Sequence, residues 1–316
     1  HLSLLGSMLR EARPDLATVH FLHTPFAEPD MLGVLPSTSA GELLAGLAGF
    51  DACGFHTERW ASAFRRAFDD PTMAEAAGTD APPASFVAPL GPAPRALAAS
   101  AHDEATQAAR KRLTEAVGER RLIVRVDRIE LSKNLLRGFY AFEELLETRP
   151  RWRGEVVLAA FVYPSRENLA DYIGYRSEVE HAIDRINERF GTPDWTPILY
   201  DPADDYPRAV AGLMSYDVLL VNPIRDGMNM VAKEGPLLNE RDGVLVLSRQ
   251  AGAWDELSLG ALGTNPFDIT GTADALEVAL TMAPGERAER AESLRTAIGA
   301  RTAQDWLDDQ LDTARR

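Results

Sequence analysis

The sequence predicts an α/β protein built on parallel sheets that helices cover on both faces. Two observations carry this prediction. Strand-like and helix-like patterns alternate along the chain, most regularly from residue 120 onward. The strand candidates there are continuous runs of Val, Leu and Ile, the pattern of strands buried on both faces.

The elements follow in order. "LSLLGSMLREARP" reads as a helix ended by Pro14, "ATVHFL" (17–22) as a strand, and "SAGELLAGLAGF" (39–50) and "TERWASAFRRAF" (57–68) as amphipathic helices. Residues 69–100, rich in Pro and Ala around the short apolar "SFVAPL", read as a connecting region, and 101–119 as a charged helix. Then "RLIVRV" (121–126) leads to the helix "NLLRGFYAFEELLE", "GEVVLAAFV" to a helix over about 166–190, "TPILY" to "YPRAVAGLMSY", and "DVLLVNP" to "MNMVAKEGPLLN". "GVLVLS" (243–248) is the last predicted strand, with helices at about 272–282 and 285–315. Asp255 and Glu256 fit the acidic first turn of a further helix. Because the chain starts at His1 and enters a helix at once, its expected beginning lies upstream.

Composition excludes several classes. With 316 residues, 45% of them hydrophobic, the chain can bury a large core and is long enough for about two domains. A net charge of −15 argues against a polyanion binder, so no nucleic-acid partner is expected, and any bound anion needs a local cluster of cations. The single cysteine, Cys53, excludes an intrachain disulfide framework and fits a reducing cytoplasm. No apolar run approaches the roughly 20 residues of a membrane span, so no membrane partner is expected. Cys53 and His56 are too few to build a tetrahedral metal site.

In a doubly wound sheet, ligands bind at the carboxyl ends of the strands. Arg128 and Lys133 follow the strand 121–126, and "NPIRDGMNMVAKE" (222–234) follows the strand 217–221, so both segments reach the same rim. An Arg fork and a Lys ammonium suit a diphosphate. Gly227 permits close backbone approach, and a helix starting near Asn229 presents free N–H groups to an anion or to sugar hydroxyls. Glu234, one turn further, can accept from the two hydroxyls of a ribose. Together these residues describe a nucleoside-diphosphate pocket. Neither G-x-G-x-x-G nor G-x-x-x-x-G-K-S/T is present, which leaves dinucleotide and P-loop sites without support.

The ordered segments "FLHTPF" (21–26), "GFHT" (54–57), "VDRIELSKN" (126–134), "YPSRENLADY" (163–172) and "NPIRDGMNMVAKE" resemble those of the trehalose-6-phosphate synthases, retaining glycosyltransferases of family 20 with the GT-B fold. The resemblance spans essentially the whole chain. It implies two Rossmann-like domains with parallel sheets: residues 1–118 the remainder of an amino-terminal, acceptor-side domain and linker, 119–295 a donor-binding domain, and 296–316 a terminal helix packing back on the first domain. It also implies glucosyl transfer from GDP-glucose or UDP-glucose to glucose 6-phosphate, giving α,α-trehalose 6-phosphate, without cofactor or metal and in the cytoplasm. A homo-oligomer is a possible assembly.

Residue by residue, the resemblance assigns Arg128 and Lys133 to the donor diphosphate and Asp226 with the amides of Gly227, Met228 and Asn229 to the donor glucose. It assigns Met230 and Val231 to the nucleotide side and Glu234 to the ribose. His23 is a contact for the transferred sugar, and Arg166 a ligand of the acceptor phosphate. The implied chemistry is front-face attack, in which the departing phosphate oxygen takes the acceptor's proton and cations stabilise the leaving group. No motif supports the carboxylate pair that a retaining glycosidase would need. Two departures stand out. "RIELSKN" replaces the family's RLDYSKG or RLDYTKG form, so that Glu130 and Asn134 mark a divergent, actinobacterial-type branch. The family's glycine-rich loop and the acceptor-phosphate arginine of its amino-terminal part have no counterpart here. Two alternatives remain: a pseudo-glycosyltransferase joining cyclitols, and a noncatalytic nucleotide-sugar-binding module.

Overall fold

The computed structural model describes residues 2–315 and divides them into two compact units. One holds the residues up to Gly91 together with those from Arg301 on, and the other is Pro92–Ala300.

In the first unit, β1 (Val19–Leu22), β2 (Ala52–Phe55) and β3 (Ala84–Val87) form a parallel sheet in that order. Its core is aromatic. Phe26, Phe55, Phe64 and Phe68 pack in a chain of tilted and edge-on rings, with Trp60 buried beside them. The helix Glu58–Asp69 supplies three of these side chains and starts cleanly because Thr57 caps it, accepting from Trp60 N.

The second unit contains β4 (Arg121–Ile129), β5 (Val156–Pro164), β6 (Ile198–Tyr200), β7 (Val218–Val221), β8 (Val244–Ser248) and β9 (Leu262–Thr264). All neighbours are parallel, and the order is β6-β5-β4-β7-β8-β9. The chain therefore winds outward in one direction from β4 and in the other from β7. A crevice opens at the carboxyl ends of these two strands, where the order reverses. The helix Leu135–Thr148 covers one face through Phe139, Phe142 and Leu146, all fully buried.

The structure departs from the sequence expectations in several places. The boundary expected near residue 118 falls instead at 91/92, because the helices Pro94–His102 and Glu104–Val117 bury Leu97, Ala101 and Val117 in the core of the second unit. The boundary expected at 295 falls at 300/301. The region 69–100 is folded: it holds the helix Pro71–Ala77, strand β3 and the helix Pro94–His102. The helix expected over 285–315 is two, Pro284–Gly299 and Ala303–Ala314. Thr302 and Asp305 start the second with a reciprocal capping box.

Phe142 is the simplest test of the larger core. Phe142→Ala is expected to cost about 3–5 kcal/mol, read as a lower denaturant midpoint for the loss of helical signal.

Candidate functional site

Strand alternation sorts the charges of β4. Val126 and Arg128 point to one face, and Arg125 and Asp127 to the other. β4 runs three residues beyond the expected strand, so Arg128 lies within it, paired in register with Tyr163 of β5. The Arg128 guanidinium remains half-exposed and pairs with Glu130 at 2.9 Å, while Glu130 also accepts from Ser165 Oγ at 3.0 Å.

After β4 the chain makes one 3₁₀ turn, Leu131–Lys133, and Asn134 enters the left-handed region at φ 61°. That conformation is tolerated best by Gly and Asn. Here Asn134 is buried, and its amide nitrogen donates to the carbonyls of Asn222 at 3.0 Å and Pro266 at 2.7 Å. It thus ties together the turns after β4, β7 and β9. Ile224 N donates to Ser132 O at 2.9 Å as a further link.

Lys133 closes the crevice. Its Nζ lies 2.7 Å from Asp226 Oδ2 and 3.9 Å from Asp127 Oδ1. Burial alone would lower the pKa of this ammonium, but Asp127 and Asp226 outweigh it and hold the value above the ordinary one. The fully buried Asp127 carboxyl is pushed up by desolvation, against the opposing pull of Arg125 and Lys133. The site thus contains a second carboxylate that sequence reasoning missed. It also lines the cavity beside Arg128 and Lys133.

The segment after β7 is a tight loop. Asp226 and Met228 are held by 250–253: Asp226 N donates to Gln250 O, Gly252 N to Asp226 O and Ala253 N to Met228 O. Gly252 is required there, since a Cβ would lie 1.9 Å from Gly227 O. Met228 is buried in the core. Asn229 sits at φ 77°, donates to Asp226 Oδ2 at 3.1 Å and accepts from Ala232 N at 3.2 Å, so it caps the following helix. That helix is Val231–Leu238 and begins two residues later than expected. It is pinned by Lys233, buried and bound to Glu256 at 2.8 and 3.0 Å. Glu256 and Asp255 lie in the acidic first turn of the helix Trp254–Leu257.

Two cavities share this rim. One, of about 220 Å³, is lined by Arg128, Lys133, Tyr163, Asn229, Met230 and Val231. The other, of about 100 Å³, shares Val126, Tyr163 and Val231 with the first and adds Phe161, Leu213 and Glu234. Burial pushes the Glu234 carboxyl up. The structure therefore gathers Arg128, Lys133, Asp226, Asn229, Met230 and Val231 around one crevice, with Glu234 in the adjoining cavity.

Arg166 stands apart. It lies four residues before the helix Ala170–Phe190 instead of at its start, in a turn at φ 52°, where it donates to Tyr172 OH at 2.9 Å and covers the Tyr172 ring. His23 belongs to the first unit. The register Leu22↔Phe55 sets it beside His56, with the two ring nitrogens 3.1 Å apart, and it packs against Phe21 and Trp306. Among the described residues, no group of three or more His, Cys, Asp or Glu side chains is placed to hold a metal ion, and no helix is long and apolar enough to cross a membrane.

The parallel α/β units and the crevice at the sheet's reversal define the class: this is the GT-B architecture of glycosyltransferases. The sequence profile of glycosyltransferase family 20 matches residues 1–316, and the chain belongs to that family. It is 34% identical to the trehalose-6-phosphate synthase of Sinorhizobium fredii, covering 98% of this chain and 68% of that protein. It is also 34% identical to the bifunctional trehalose-6-phosphate synthase/phosphatase of Thermoproteus tenax, covering 98% of this chain but only 43% of that one. Among solved structures, an α,α-trehalose-phosphate synthase from Burkholderia xenovorans in complex with glucose-6-phosphate superposes with TM-score 0.91 at 33% identity, over 100% of this chain and 72% of that one. The E. coli trehalose-6-phosphate protein bound with UDP-2-fluoro glucose gives TM-score 0.90 at 30% identity, over 100% and 72%.

Burial holds the His23 imidazole below its ordinary pKa. The unfolded chain then takes the proton more readily, so His23 contributes a loss of stability as pH falls through about 6.5. His23→Gln is expected to flatten the fall in Tm between about pH 7.5 and pH 5.

Proposed function

We propose that the chain carries out, as part of its protein, retaining transfer of glucose from a nucleoside-diphosphate glucose, GDP- or UDP-linked, to glucose 6-phosphate, forming α,α-trehalose 6-phosphate. The observation that carries this reading is the pairing of rims: Arg128 of β4 and Lys133 from the turn after it meet Asp226 and Asn229 from the segment after β7 beside one cavity. The relatives bound to glucose-6-phosphate and to a UDP-glucose analogue support the same substrates.

In this reading the donor diphosphate lies against Arg128 and Lys133. Asp226 and the amides of Gly227, Met228 and Asn229 hold the glucose, Met230 and Val231 flank the nucleotide, and Glu234 accepts from the ribose hydroxyls. A carboxyl desolvated as Glu234 is gains from two hydroxyl donors. The bond from the anomeric carbon to the phosphate oxygen breaks as the acceptor hydroxyl bonds to the same face, and the acceptor's proton passes to the departing phosphate. In this reading Arg128 and Lys133 exchange their pairs with Glu130 and Asp226 for the diphosphate as the donor binds, and then stabilise the charge that develops on it without a protein nucleophile. The Pro92–Ala300 unit is the donor-binding part. His23 contacts the transferred sugar and Arg166 the acceptor phosphate.

Arg128→Ala and Lys133→Ala are each expected to reduce donor turnover by about 100-fold or more while leaving the melting temperature above the assay temperature. The measurement is nucleotide release dependent on glucose 6-phosphate in the full-length parent, with GDP-glucose and UDP-glucose compared. Wild-type kinetics in either variant would remove the diphosphate assignment. Identification of the disaccharide phosphate product separates this reading from cyclitol coupling.

A further inference from the structure

Arg125 has no part in the function proposed above, yet it touches the element that carries Lys133. It lies in β4 with none of its surface exposed. A guanidinium in that position needs a partner for each side of its fork. Nε donates to Asp127 Oδ2 at 3.1 Å, Nη2 to the carbonyl of Lys133, and Nη1 reaches the carbonyl of Asn134 at 3.5 Å.

Two of these acceptors are main-chain oxygens of the cation-bearing turn. The third, Asp127, turns its other oxygen to Lys133 Nζ at 3.9 Å. The guanidinium is therefore tied to Lys133 directly through its carbonyl and, by way of Asp127, to its ammonium. Room for it comes from Gly138 on the covering helix, where a Cβ would lie 2.1 Å from Arg125 Nη1.

We infer that Arg125 is a positioning residue, which fixes the turn 131–134 and orients Asp127 so that the Lys133 ammonium is aimed at a nucleoside diphosphate. The inference rests on the reading of Lys133 as a diphosphate ligand. A merely structural buried ion pair would affect stability, and would change affinity for all nucleotides alike.

The test is calorimetric titration of GDP, UDP, GMP and UMP into the full chain and into Arg125→Lys, Gly138→Ala and Lys133→Ala. Arg125→Lys keeps the charge beside Asp127 but loses the fork to the two carbonyls. Gly138→Ala displaces Nη1 and leaves every charge in place, so it decides alone should the first variant fail to fold. The expected result is a diphosphate-over-monophosphate preference reduced about 10-fold in both, approaching that of Lys133→Ala. If Lys133→Ala loses the preference while both other variants keep it, the role given to Arg125 is wrong and the diphosphate site stands. If the wild-type chain shows no such preference, or Lys133→Ala retains it, the diphosphate reading fails and this inference fails with it.

Discussion

The contact between Lys133 and Asp226 is the one on which the arrangement of the crevice depends. It joins the turn after β4 to the turn after β7, the two central strands between which the sheet changes winding direction. A parallel sheet can present two loops side by side at this point only if something holds them together, because neither loop has a strand neighbour beyond its end. Here a charged side chain does so, backed by Ser132–Ile224 and by the Asn134 amide. Coulomb attraction at a few ångströms, of the order of 4 kcal/mol at an effective dielectric constant of about 20, is large enough to keep a mostly buried lysine charged. The lysine remains a cation because the two loops are closed, and the loops are closed because it is a cation.

Two asparagines in left-handed conformation, Asn134 and Asn229, make this closure specific. Glycine would adopt the backbone at less cost, since the left-handed region penalises other residues by about 1–2 kcal/mol. Each asparagine offsets that with side-chain hydrogen bonds worth about 1 kcal/mol apiece. Asn134 binds two carbonyls from other turns, and Asn229 binds Asp226 and caps a helix. At Asn134 a strained φ thus comes with a clamp on two neighbouring turns. Gly252 shows the opposite choice, since the loop carrying Gly227 passes too close for any side chain.

Legibility followed burial symmetry. β5, β7 and β8 can be read from sequence because each is a nearly continuous apolar run covered by its neighbours, and β4 through its apolar start Leu122–Val124. β2 cannot, since Ala52-Cys53-Gly54-Phe55 carries no β-branched residue and its Gly is demanded by Phe21 and Phe86 crowding from either side. The Pro and Ala of 69–100 resemble a linker in composition, yet Pro71 and Pro94 occupy first helical turns, where proline is favoured. The break at 300–302 did leave a signal, the Thr302–Asp305 capping box, inside an otherwise helical pattern. The placement of Arg128, Lys133 and the 226–231 segment on this rim is legible because they lie at or just beyond strand ends. Arg125 and Asp127 are not, because their alternate positions on β4 face inward and charged residues on a strand usually mark solvent.

Charge balance at this rim bears on the anion site proposed for a strongly acidic chain. The crevice brings together Arg125, Arg128 and Lys133 with Asp127, Glu130 and Asp226, so the cluster is close to neutral before any ligand enters. Its charges are nevertheless sorted by depth. Asp127 and Arg125 lie beneath the surface and satisfy each other, whereas Arg128 is half-exposed, and Lys133 and Asp226 are partly open to the cavity. In the proposed function, a diphosphate would meet the two outer cations before the more deeply buried Asp127. In that function, a diphosphate that takes over Lys133 would leave Asp226 to accept from a hydroxyl, so that the ion pair which closes the crevice would supply, when exchanged, one ligand for phosphate and one for sugar.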